Sequence, residues 1–155
     1  MTSILTALVA IAGTLSGSLV TYLLQKRMSA RAEQFAQSAR LREERLSAYG
    51  EFAKAIMDYR HAEFARWEAR HGQGGDRELQ DARAVAHQKR AAAWHAFFTV
   101  QLLAGDAPLI GAAGNLLEIT SDVHHASDEA DLQHRGSLVR SELADFVALA
   151  SRQLR

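Results

Sequence analysis

Four times along this sequence an acidic side chain stands three residues before a histidine, at Asp58/His61, Glu68/His71, Asp122/His125 and Asp131/His134. One helical turn brings such a pair onto one face. Two glutamate–histidine pairs on facing helices, joined by glutamates from two others, form the di-metal centre of ferritin-like bundles. Only Glu68 supplies the glutamate here, His71 falls at a glycine-rich helix end, and no further glutamate is placed for the middle of a core. Glu68, His71, Asp122 and His125 are therefore the metal candidates, against a plainer reading of all four pairs as solvent-facing neighbours contributing about 0.2–0.5 kcal/mol each. The plainer reading is preferred, with His124 and His125 as a solvated pair, and no metal or other cofactor is expected.

Other chemistry is harder to place. The chain has no cysteine, which removes disulfides, thiolate nucleophiles and sulfur-ligated metals. No serine sits in a Gly-x-Ser-x-Gly elbow, and that strand-to-helix turn does not suit an all-helical chain. The basic run at residues 40–45 is interleaved with Glu43 and Glu44, the pattern of a solvated helix, so nucleic acid is not an expected partner. Trp67, Trp94, Phe97 and Phe98 could line a ligand pocket, but aromatics at helical spacing read first as core. No catalytic residue is assigned, and an enzyme is not expected.

The elements that must position these residues are helices. Among 155 residues Pro occurs once, at Pro108, which permits long uninterrupted helices. Residues 4–24, ILTALVAIAGTLSGSLVTYLL, carry no charge and match the roughly 20 residues needed to cross a bilayer. Lys26, Arg27 and Arg31 follow this run rather than precede it, which favours an anchor over a cleaved signal peptide. They also place the N-terminus outside and the following domain in the cytoplasm. Within the run, Gly13 and Gly17, with Ser16 beside them, form a small-residue face through which two spans could pack. The formal charge of zero hides an asymmetry: residues 25–104 carry fourteen basic and ten acidic side chains, residues 105–145 two basic and eight acidic. The basic part lies nearest the proposed membrane, as anionic headgroups favour.

Downstream, the apolar stripe Met28, Ala32, Phe35, Ala39, Leu46, Tyr49, Ala53 and Ile56 predicts one helix running to about His71. Its first part, to Arg45, is charged and poor in large apolar residues, the composition of a solvated neck or coiled coil; from Leu46 it is rich enough for a core. Gly72, Gly74 and Gly75 break this helix, as glycines able to adopt the left-handed conformation that ends a helix, with Asp76 placed to cap the next. Gly105 with Asp106 and Pro108, and then Asp128, mark the two later breaks. The expected architecture is all-α, with residues 1–25 as transmembrane anchor, 26–45 as neck and 46–155 as an antiparallel bundle of about four helices.

The segment Arg45-Leu46-Ser47-Ala48-Tyr49-Gly50-Glu51-Phe52 is followed by the Leu-rich helix end and Gly-x-x-Pro turn at residues 100–108, the small residues Gly111-Ala112-Ala113, and a closing stretch at 146–154. In this order it resembles small membrane-anchored helical proteins of GC-rich actinobacteria. That resemblance implies the same architecture and no catalytic residues. The expected function is a self-associating, membrane-tethered interaction module with the lipid bilayer, further copies of itself and an unidentified protein as partners. The alternative is a bundle enzyme or sensor binding a metal or small ligand through the carboxylate–histidine pairs.

Overall fold

A computed structural model describes the backbone of residues 2–73 and 75–154, and the side chains of residues 33, 35–73 and 75–154. The described residues form four helices, α1 (Thr2–His71), α2 (Asp76–Leu103), α3 (Ala107–Ser121) and α4 (Glu129–Gln153), with a 3-10 turn at Val123–His125 between the last two. Among the described residues there is no strand, and no helix is long and apolar enough to cross a membrane. The apolar run at 4–24, with Gly13, Ser16 and Gly17, and the basic flank Lys26, Arg27 and Arg31 lie outside the residues whose side chains are described.

The chain divides into two compact units, Met1–Leu41 and Arg42–Arg155. In the first, the described side chains are all exposed, as a charged, apolar-poor helix dictates. In the second, pairings fix the packing. Arg45 Nε donates to Leu103 O at 2.9 Å, Phe52 meets Phe97 at 6.4 Å between ring centroids, and Asp58 meets Lys89 at 3.3 Å. Rising numbers on α1 meet falling numbers on α2, so the two are antiparallel. The same holds for α1 and α4, where Tyr49 bonds Gln153 at 2.9 Å and Arg60 bonds Gly136 O at 3.0 Å. A buried core runs through Phe52, Ile56, Tyr59, Leu109, Leu116, Val139 and Phe146. Phe52 and Phe146 pack edge to face at 5.0 Å, the arrangement the ring quadrupoles favour.

Local chemistry corrects several expectations. Gly75, with φ −75°, is the N-cap of α2, and Asp76 is its first residue. No described glycine has a positive φ, so this turn closes without the left-handed conformation at any described position. Asp106 precedes α3 without capping it through its side chain, whereas Asp128 caps α4 by accepting from Asp131 N at 2.8 Å. The core begins at Ala48, not Leu46, which is exposed. Arg45, read as the last residue of a solvated neck, instead satisfies a carbonyl at the C-terminal end of α2, where four carbonyls lack helical partners.

Tyr49 gives the bundle an alkaline limit. Its buried phenol donates to Gln153 Oε1, and burial, opposed in part by Arg45, raises its pKa above the ordinary value. The unfolded phenol ionises near pH 10, so above that pH the folded chain holds a proton the unfolded chain has lost. Stability then falls with rising pH, by at most about 1.4 kcal/mol per unit from this one group. Urea midpoints measured from pH 9 to 11 should fall less steeply for Tyr49→Phe than for the wild type. Equal slopes would show that this phenol does not titrate differently in the two states.

Candidate functional site

Two features stand apart from ordinary bundle packing, and the first is a buried acid. Phe52, Ile56, Tyr59 and Glu63 follow one another at spacings of four, three and four, so Glu63 occupies the core seam of α1. It is 2% exposed. Opposite it the 3-10 turn is held in place from several directions. Val123 and Ala126 are buried, Trp67 Nε1 donates to Ala126 O at 2.8 Å, and Arg135 Nη1 donates to Asp122 O at 3.2 Å. The turn so pinned directs His124 inward, with Nδ1 2.8 Å from Glu63 Oε2.

That contact is close but badly aimed, since neither Glu63 Oε2 nor His124 Nδ1 has a hydrogen-bond partner. Arg66 approaches the same carboxylate oxygen at 3.5 Å. Burial pushes the Glu63 carboxyl above its usual range, opposed by Arg66, while burial, with help from Arg66 and His125, pulls His124 down to about 4. Burial thus works against charge on both members of the pair, which is not an ordinary ion pair. Tyr59 beside it is also raised by burial and by the Glu63 charge. Around these groups lies a cavity of about 120 Å³, lined also by Ala86, His87, Arg90, Ser121, Asp122 and His125.

The acid–histidine pairs of the sequence do not form this site as such. Asp58 turns to Lys54 and Lys89, at 3.0 and 3.3 Å, and these hydrogen bonds hold its carboxyl below the usual range. Asp131 bonds Arg135 at 2.9 Å, with the same consequence for its pKa. Neither pairs with its histidine. Glu68 and His71 are exposed, and the His71 ring stacks on Trp67 at 4.2 Å. Asp122 and His125 are exposed on the cavity rim. Among the described residues no three His, Asp or Glu side chains are grouped to hold a metal ion. The reading of His124 as solvated is wrong, because the buried flanks of the turn, not the acidity of the segment, decide its direction. Glu63 was missed altogether, though a charged residue on an apolar seam was a visible signal.

The second feature is an apolar line on the outside. Trp94, Phe98 and Leu102 recur every four residues on α2 and are 38%, 52% and 85% exposed. Trp94 and Phe98 pack on each other at 5.7 Å. Read as core, Trp94 and Phe98 must be corrected. The buried line of α2 is Ala86, Ala93 and Val100, and Trp94 stands one residue, about 100°, around the helix from Ala93. Trp67 and Phe97, by contrast, do pack against the core.

Comparison with protein families finds that the family model described as KilB plasmid transfer protein matches residues 46–154. Comparison with curated proteins and with solved structures found no match. The family match covers the helical domain, and it gives no support to the resemblance to membrane-anchored actinobacterial proteins.

Proposed function

The chain belongs to the KilB plasmid transfer protein family, and from that premise we propose that it acts in plasmid transfer as a membrane-tethered, self-associating helical module that binds a protein partner rather than catalysing a reaction. The uncharged run at residues 4–24 and the basic residues Lys26, Arg27 and Arg31 support the tether and a cytoplasmic bundle. Gly13 and Gly17, with Ser16 between them, support association of the spans.

The observation that carries the partner-binding half is the line of Trp94, Phe98 and Leu102. A bundle whose core is already filled by Phe52, Phe146 and their neighbours leaves this line to solvent. Contiguous apolar surface of this kind marks interaction sites, and aromatic side chains anchor them. Phe98→Asp and Leu102→Asp, made together, put two charges where a partner would have to desolvate them, at a cost of several kcal/mol to binding. Surface changes of this type shift folding stability by only about 0.5 kcal/mol. Plasmid transfer should therefore drop at least tenfold while the melting curve stays in place. Undiminished transfer would remove this face from the proposal.

A further inference from the structure

We infer that the cavity beside Glu63 and His124 binds one inorganic phosphate ion. Charge is the first reason. A carboxyl oxygen and an imidazole nitrogen 2.8 Å apart cannot both present bare lone pairs, and one proton on the buried Glu63 carboxyl, directed at His124 Nδ1, gives each atom the partner that buried polar atoms require. The pair then carries no net charge. Around it stand Arg66 and Arg90 against the single aspartate Asp122, two cations less one anion, which leaves the lining positive before His87 and His125 add anything.

Three elements bring these groups around one space. Glu63 and Arg66 are one turn apart on α1, His87 and Arg90 one turn apart on α2, and His125 follows the inward His124 on the 3-10 turn. Arg66 is only partly engaged, since its 3.5 Å approach to Glu63 Oε2 is longer than the roughly 2.7–2.9 Å of a strong charge-assisted bond. Among the described residues Arg90 makes no ion pair. Two guanidinium groups from different helices are the donors an oxyanion requires. The C-terminal end of α3 reaches the cavity at Ser121 and counts against an anion, but Arg135 offsets it by donating to Asp122 O at 3.2 Å.

The buried part of the lining selects among oxyanions. Tyr59 and Glu63 are 1% and 2% exposed, and the Glu63 oxygen not engaged with His124 is an acceptor. An acceptor in this place repels an anion without hydrogen, such as sulfate, and favours one that still carries an O–H. Inorganic phosphate keeps a proton at pH 7, whereas a phosphate monoester, whose last pKa is about 6, has mostly lost its own. The cavity of about 120 Å³, set against about 10–15 Å³ for each enclosed water, holds one such ion with a few waters.

The test uses the full chain in mild detergent, dialysed free of phosphate and titrated with sodium phosphate in a calorimeter at pH 7 and constant ionic strength. One equivalent is expected, with a rise in melting temperature, and sulfate and glycerol phosphate should each bind more weakly by about tenfold or more. Arg90→Gln, an exposed rim position where folding is not at stake, should weaken phosphate binding by about tenfold or more. Arg140→Gln, an exposed arginine on α4, should leave it unchanged. Glu63→Gln, whose amide can turn an N–H toward the anion, should narrow the gap between phosphate and sulfate. No saturable binding, sulfate or glycerol phosphate bound as tightly as phosphate, or Arg90→Gln binding no more weakly than Arg140→Gln would each overturn the proposal.

Discussion

Gly136→Leu is expected to cost the bundle about 1–5 kcal/mol and to lower its melting temperature by some 5–20 °C. Gly136 is buried in α4 where that helix crosses α1. A Cβ at this position would overlap Phe64 Cζ and stand 2.7 Å from Phe64 Cε2 and 2.9 Å from Arg60 Nη2. Neither neighbour can yield freely. Arg60, itself buried, donates to Gly136 O at 3.0 Å and lies 4.5 Å above the centre of the Phe64 ring. Displacing it strips a buried guanidinium of its acceptor, costing about 1–3 kcal/mol. Overpacking adds about 1–3 kcal/mol. Against these, the gain of replacing a helical glycine is only about 1 kcal/mol. Gly136→Ala should be milder, and Phe64→Ala should offset part of its cost in the double variant, since the two positions touch. A Gly136→Leu protein melting with the wild type would mean that α1 and α4 are not in this register.

The second large effect belongs to the proposed span. Gly13→Leu or Gly17→Leu is expected to disperse the oligomer, because a leucine at either site holds apart two backbones that lipid gives no hydrophobic reason to approach. Cross-linking in native membranes should lose most of its dimer or higher product in both variants. Phe35→Ala should have a smaller effect, for although Phe35 is 75% exposed on the apolar side of the neck, Arg42 interrupts that stripe, and a polar seam residue weakens a coiled coil. A wild type that gives no cross-linked product would leave the neck as a spacer only.

How much of this could be read in the sequence depends on whether the deciding force was local. The breaks near Gly72, Gly105 and Asp128 were legible because glycine, proline and capping aspartate act on their own few residues of backbone. The long α1 was legible from a stripe that keeps its three–four spacing to Trp67. The outward Trp94 and Phe98 were not, because α2 carries apolar residues around more than half its circumference, and only contact with α3 and α1 selects Ala93 and Val100 as the inner line. The Glu63–His124 pair was legible on one side. Glu63 interrupts an apolar seam in plain view, but its partner is delivered by a three-residue turn whose direction is set by Val123, Ala126, Trp67 and Arg135, from three different parts of the chain. The acid–histidine spacing pointed to the right segment through Asp122 and His125, yet the inward residue proved to be His124.

The proposed role in plasmid transfer requires the bundle to be held at a membrane. The most direct measurement is the transfer frequency of cells whose only copy of the chain lacks residues 1–25, alongside cells carrying the full chain. Loss of the tether should reduce transfer to the level of cells without the protein, while the bundle itself, built from Arg42–Arg155, keeps its melting curve. Full transfer by a shortened chain recovered in the soluble fraction would contradict the account.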